Sequence, residues 1–202
     1  MIFRNDDLCV DSDITKFREI QGIMEEFGIQ EIYSVIPYGR NLYMGSPFEM
    51  PLENLNDYLG KEPVYTNHKV DEFIKESLKK GHKISLHGWT HTRIALYTYE
   101  EQKYHIEKAK KMLEDYYGVW IEYFVPPYNN YNDSTIRVCK ELGMKILAGN
   151  ENQLEWLVRD NNNFTKDEHC WYHAWRFYLN GLTPNKLREY LCRQLGKSQQ
   201  VP

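Results

Sequence analysis

Cysteine, basic charge and long apolar runs are all scarce in this sequence, and each shortage removes a class of protein. Its four cysteines, Cys9, Cys139, Cys170 and Cys192, stand far apart with no Cys-x-x-Cys pair, so reduced thiols are expected in place of a disulfide framework. Twenty-five Lys and Arg against 29 Asp and Glu leave a formal net charge of −4. With no local basic cluster to offset it, no field is available to hold a phosphate backbone, and nucleic acid is not an expected partner. No apolar run approaches the roughly 18 residues of a membrane span. Arg4, Asp6 and Asp7 fall where a secretory leader would be apolar, so the expectation is a cytoplasmic protein with no membrane span. The Gly-x-Ser-x-Gly elbow and the Gly-x4-Gly-Lys-Ser/Thr loop are both missing, which removes support for serine hydrolases and P-loop enzymes.

What is present is enough to fold. A chain of 202 residues with 42% hydrophobic and 27% charged residues buries a core and fits one domain, read here as residues 1–196 with a polar tail at 197–202. A strand is expected over Ile2 to Cys9, then a helix capped by Asp11 or Asp13, carrying Phe17, Ile20, Met24 and Phe27 and ended by Gly28. A short strand from Glu31 to Ile36 leads into about 30 residues rich in Pro, Gly and Asn, longer than most connections and of the kind that often carries function. The pattern of helix, glycine and strand then repeats. It gives a helix through Val70 to Leu78 with a strand at Lys83–Leu86, and a helix over residues 100–117 with a strand at Ile121–Val125. A helix after Asn132 follows, with a strand at Met144–Leu147. His169 to Arg176 reads as extended, and Thr183-Pro184 opens a last helix. Repeated βα units imply an α/β fold, a distorted (β/α) barrel of six or seven parallel strands, with chemistry at the carboxyl ends of those strands.

Four clusters fall at such ends. Asp6 and Asp7 close the first strand as a metal ligand and a neighbouring base, or as an ordinary loop pair. His87 and His91 in His-Gly-Trp-Thr-His would face one side on a helical turn. They suit zinc or a similar divalent ion with a carboxylate such as Asp7, or are two satisfied histidines; Gly88 in place of Glu excludes a standard zincin. The double proline Pro126-Pro127 stiffens the loop that presents Tyr128, whose backbone N–H could serve an oxyanion, or simply ends a strand. In the His169 to Arg176 segment, His169 and His173 would lie about 13 Å apart on an extended chain, so one of them at most joins a single site. Strand alternation also turns Cys170 away from His173, which argues against a Cys-His dyad. The sixteen tyrosines and five tryptophans serve equally as core or as sugar-stacking surfaces.

In order along the chain, these clusters resemble the motifs of the polysaccharide deacetylase family, the carbohydrate esterases that share the chitooligosaccharide-deacetylase homology domain. Asn5-Asp6-Asp7 is similar to its paired-aspartate motif, His87 to His91 to its His-Ser/Thr-x-x-His motif, Val125 to Tyr128 to its Arg-x-Pro-Tyr motif, and Trp171-Tyr172-His173 to its Leu-x-His motif. The resemblance implies a hydrolase that removes acetyl from an N-acetylated sugar or oligosaccharide by cleaving a C–N amide bond. It implies one divalent metal ion, zinc first with cobalt and manganese as alternatives, held by Asp7, His87 and His91. It makes Asp6 the base, the Tyr128 backbone N–H an oxyanion donor and His173 the acid for the leaving amine. Departures stand beside the matches: Leu8 follows the aspartates in place of Gly, Gly88 replaces Ser or Thr, Glu155-Trp156 is all that represents the late acidic-Trp motif, and Val125 replaces the arginine that orients the base. Arg4 and Arg159 are the candidates to take over that task. If neither does, the alternative is a noncatalytic glycan-binding module on the same fold.

Overall fold

The computed structural model describes residues 2–38, 63–149, 152–160, 169–177, 179 and 181–196. Most of the expected long loop and the whole polar tail lie outside them. Six strands, β1 (Ile2–Leu8), β2 (Glu31–Val35), β3 (Lys83–Leu86), β4 (Tyr123–Phe124), β5 (Lys145–Ile146) and β6 (His169–Tyr172), form one sheet in the order β5-β4-β3-β2-β1-β6 with every pairing parallel.

The sheet curls into a half-barrel, and one side chain demonstrates the curvature. In a flat sheet β1 and β5 would stand four strand spacings apart, about 19 Å. Arg4 on β1 nevertheless donates from Nη1 to the carbonyl of Leu147, the residue after β5, at 2.6 Å. Gln153 extends the curl on the other edge through a parallel bridge to Trp171.

Helices cover the outside: α1 (Ile14–Glu26), α2 (His68–Lys79), α3 (Tyr99–Tyr117), α4 (Asp133–Glu141), α5 (Leu154–Asp160), the single turn α6 (Ala174–Phe177) and α7 (Pro184–Leu195). Asp13, Asn67, Thr98, Asn132 and Thr183 cap their N-termini by side-chain acceptance from backbone N–H groups. Each such cap contributes about 1 kcal/mol. Phe17, Ile20 and Met24 of α1 and Phe73 and Ile74 of α2 are buried against Tyr33, Val35 and Leu86 of the strands, as the 3.6-residue spacing requires. Among the described residues no helix is long and apolar enough to cross a membrane.

Three expectations are corrected. β4 and β5 are two residues each, shorter than the apolar runs around them, because β5 is an edge strand with a pairing partner on one side only. The helix α5 was not foreseen. The extended stretch from His169 stops at Tyr172: the His173 backbone N–H donates to Glu155 Oε1 at 2.8 Å and that of Ala174 to Asn5 Oδ1 at 3.0 Å. These side-chain acceptors take the chain out of the ladder and into the turn α6.

At the opposite end of the strands from the site described below, Glu31 starts β2 with its carboxylate enclosed. Parallel register places Tyr33 and Tyr172 on either side of Asn5. Both phenols donate to Glu31, from Tyr33 at 2.7 Å and from Tyr172 in a shorter contact.

Candidate metal centre

Adjacent residues of a regular strand face opposite ways, so Asp6 and Asp7 share a site only through an irregularity. The register supplies it. Phe3, Arg4 and Asn5 pair with Glu31, Ile32 and Tyr33, whereas Leu8 pairs with Val35, so β1 carries one extra residue, and Asp7 takes φ 67°. This is bulge geometry, which re-aims side chains at sheet ends, and aspartate tolerates the left-handed region better than most residues. The two carboxylates then keep different company. Asp6 accepts from Arg4 Nε at 2.8 Å and Ser34 Oγ at 2.6 Å on Oδ1, and from Arg4 Nη2 at 2.9 Å on Oδ2. Asp7 faces imidazoles: its Oδ1 lies 3.1 Å from Nε2 of both His87 and His91.

His87 follows β3 directly, but no helical turn aligns His91 with it; residues 88–92 are a bent loop. Gly88 makes that loop possible. Its φ is 77°, and a Cβ there would meet the Thr90 carbonyl oxygen at 2.5 Å and Pro127 Cγ at 3.1 Å. Restoring the serine of the resembling motif is therefore expected to harm. Gly88→Ser should lower stability by about 1–3 kcal/mol and weaken divalent-ion binding, and a variant with unchanged melting temperature and metal affinity would contradict the geometry.

The ring nitrogens facing away from Asp7 are tied down. His87 Nδ1 lies 2.7 Å from the Val125 carbonyl and His91 Nδ1 3.1 Å from the Tyr128 hydroxyl. Since a carbonyl only accepts, His87 carries its proton on Nδ1 and, when neutral, turns the Nε2 lone pair toward a carboxylate oxygen. Such an arrangement needs a cation between the two. Asp7, His87 and His91, all buried, offer three donor atoms within 4.8 Å of one another. Bonds of about 2.0–2.1 Å at tetrahedral angles give donor separations of about 3.3 Å, close to the 3.1 Å found. One carboxylate and two imidazoles fit zinc or a neighbouring divalent ion, and the outer contacts from Val125 and Tyr128 are those that fix ligand orientation.

The remaining wall comes from the end of β6. His173 Nε2 is 3.5 Å from Asp7 Oδ2, and its Nδ1 is 3.5 Å from Oε1 of the fully buried Glu155. At that length both are ion-pair contacts, not hydrogen bonds. Burial pushes His173 toward the neutral form, but the charges of Asp7, Glu155 and Asp6 outweigh it and raise its pKa above the ordinary histidine value. Burial likewise works against the Asp7 carboxylate, yet His91, His173 and His87 hold its pKa well below the usual range. Trp175 Nε1 donates to Asp7 Oδ2 at 3.1 Å. Strand alternation would have placed Trp175 in line with Trp171; the turn α6 brings it to the carboxylate instead, and no sequence signal marked that contact.

Arg4, Asp6, Asp7, His87, His91 and His173 line a cavity of about 80 Å³ that also includes Pro126, Tyr128, Trp171 and Arg176. Tyr128 reaches it through a left-handed backbone, φ 58°. A larger open groove of about 480 Å³ between α4 and β5, with Tyr131, Ile136, Lys140 and Lys145 on its walls, has no carboxylate and imidazole set. His68, His82 and His105 stay outside the site: His68 is exposed, and buried His82 accepts the Glu31 N–H at 3.0 Å.

Comparison with known proteins agrees with this arrangement. The sequence model of the family described as polysaccharide deacetylase matches residues 54–147. Over that stretch the chain is similar to the polysaccharide deacetylase family. Chitin deacetylase 1 of Cryptococcus neoformans is 30% identical to this chain over 107 residues, covering 49% of the chain and 22% of that protein. A carbohydrate esterase family 4 pseudoenzyme from Bacillus anthracis superimposes with TM-score 0.64 at 13% identity, over 96% of this chain and 59% of that one. The family 4 carbohydrate esterase from Streptomyces lividans, in complex with acetate, does so with TM-score 0.65 at 11% identity, over 96% and 88%. The chain thus spans about a fifth of the curated relative it matches. The stretch matched by the family model holds His87, His91 and Tyr128, while Asp6, Asp7 and His173 are brought to them by the fold.

Proposed function

We propose that this chain is a metal-dependent hydrolase that removes the acetyl group from an N-acetylated sugar or glycan. The observation that carries the proposal is the division of labour between adjacent aspartates around one small cavity: Asp7 faces two imidazoles, and Asp6 faces a guanidinium and a hydroxyl. A divalent ion held by Asp7, His87 and His91, zinc by preference for such donors, supplies Lewis-acid activation of water and of the acyl carbonyl.

The chain's own groups do the rest. Asp6 accepts the proton of the attacking water on a carboxylate whose orientation is set by Arg4 and Ser34. His173, on the opposite side of Asp7, donates a proton to the nitrogen of the departing amine as the C–N bond breaks. The carboxylates of Asp7 and Glu155 on its two ring nitrogens favour that proton against burial, and Glu155 positions the ring. The backbone N–H of Tyr128, which lines the cavity behind the stiff Pro126-Pro127 pair, serves in this reading as donor to the carbonyl oxygen. The cavity is small, which suits an acyl group of two carbons better than a long chain.

The alternative of a noncatalytic glycan-binding module rested on an Asp6 without its arginine, and Arg4 supports the catalytic reading instead. The test is acetate release from N-acetylglucosamine oligomers by protein loaded in turn with zinc, cobalt and manganese. Turnover that disappears with a chelator and returns with metal is expected. Glycan binding without acetate at every metal loading would favour the module. Failure to bind any of the three ions at micromolar affinity would remove the metal-dependent mechanism. His173→Ala should retain the ion and lose about 10²–10⁴-fold in kcat.

A further inference from the structure

The family motif that Val125 to Tyr128 resembles opens with an arginine, but position 125 holds a valine fully buried with Ile32, Tyr123 and Leu147. The cation facing Asp6 comes from a different strand. Arg4 and Asp6 sit two apart in β1 and so share a face. Arg4 is 1% exposed and uses its whole guanidinium: Nε and Nη2 grip both oxygens of Asp6, Nη1 donates to the Leu147 carbonyl, and the group lies 5.6 Å from the centre of the Trp171 ring. Arg159, the other arginine considered, is exposed in the last turn of α5.

We propose that Arg4 is the positioning residue for Asp6, doing from β1 what the resemblance assigns to position 125. The inference rests on the deacetylase reading for what Asp6 then does. The two-point fork fixes both the rotation and the tilt of the carboxylate, which a single donor such as Ser34 does not. The anchor on Leu147 ties the fork to the far edge of the half-barrel, so the base is held by the curvature of the sheet as well as by its own strand. Leu147 also packs with Val125. Arg4, through the Leu147 carbonyl, and Val125, through packing, thus meet at the same residue, and on this proposal an arginine at one position takes the place of, and excludes, an arginine at the other.

That exclusion makes the proposal testable by moving the arginine. Arg4→Met should retain metal affinity by calorimetry with zinc, lower kcat for acetate release about 100-fold and change KM by less than about 2-fold. Arg4→Met/Val125→Arg should recover at least about 10-fold of that loss. A purely structural role for Arg4 would not be rescued from position 125. Crystal structures of the same variants read the claim without turnover: the Asp6 carboxylate should rotate in Arg4→Met and be gripped again, from position 125, in the double variant. If Arg4→Met does not fold, Arg4→Lys, which keeps the charge but offers one donor centre, should fold with Asp6 turned and kcat reduced. Unchanged kcat and unchanged Asp6 orientation in Arg4→Met would overturn the proposal, as would a double variant that grips Asp6 but recovers nothing. Wild-type protein that binds zinc and releases no acetate would sink the deacetylase reading alone, leaving the crystal structures to decide Arg4.

Discussion

Asp6→Asn should leave the metal in place and cost about 10²–10⁴-fold in turnover, whereas Asp7→Asn should weaken metal binding by about 100-fold or more. The two side chains are adjacent and equally buried, yet their partners predict opposite failures. Asp7 is the carboxylate that opposes two imidazole nitrogens at 3.1 Å. Replacing it with a neutral amide keeps the shape and removes the charge that draws a divalent ion. The same change also removes the acceptor from Trp175 and the opposing charge from His173, so Asp7→Asn should in addition lower the pKa of His173. Asp6 makes no contact with His87 or His91 among its hydrogen bonds and has Arg4 and Ser34 instead. Its amide analogue still fits between them but cannot take a proton from water. Calorimetry with zinc and acetate release, run on both variants, separate the cases. If Asp6→Asn empties the site and Asp7→Asn does not, the two roles are interchanged. Both variants retaining metal and activity would defeat the mechanism.

Much of this site was legible because strand ends are. Polar residues right after a short strand, as at His87 after Lys83–Leu86, announce a carboxyl-end loop whatever the surrounding detail, and four such endings converge because parallel strands point the same way. The helices were equally readable, since Asp13, Asn132 and Thr183-Pro184 are chemical start signals that the structure uses as caps. What stayed hidden depends on contacts across the sheet. The bulge that turns Asp7 toward the histidines is a register shift against β2, and no local pattern marks it. The departure of the chain from β6 at His173 is dictated by Glu155 and Asn5, distant in sequence. The reach of Arg4 to Leu147 exists only once the sheet has curled. Gly88 shows the opposite lesson: set against the family motif it is a departure, but its positive φ and the close Thr90 carbonyl show that this loop requires glycine.

A large pH-dependent effect on stability between pH 4.5 and 7 should come from Glu31, at the opposite end of the strands from the candidate metal centre. Burial pushes its pKa up to about 7 from 4.5, against the opposing hydrogen bonds from Tyr172 and Tyr33. A carboxyl group whose folded-state pKa is raised holds its proton in the native protein over a range where the unfolded chain has already released it. Between pH 4.5 and 7 the native state therefore binds more protons, and stability falls as pH rises. The contribution is complete below pH 4.5 and gone above pH 7, about 3 kcal/mol in all at 1.36 kcal/mol per pKa unit. Glu31→Gln keeps the size and the acceptor for a tyrosine hydroxyl while deleting the titration. Urea unfolding at pH 5 and pH 8 is the measurement. Wild type should lose stability relative to Glu31→Gln by about 2.5 kcal/mol between the two, part of the loss having occurred below pH 5, and taking the difference cancels every other titrating group that both proteins share. The variant should be the more stable of the pair at pH 8. Parallel behaviour of the two proteins across that range would show that the enclosed carboxylate is ionised in the folded state, stabilised by its two phenols strongly enough to offset its burial.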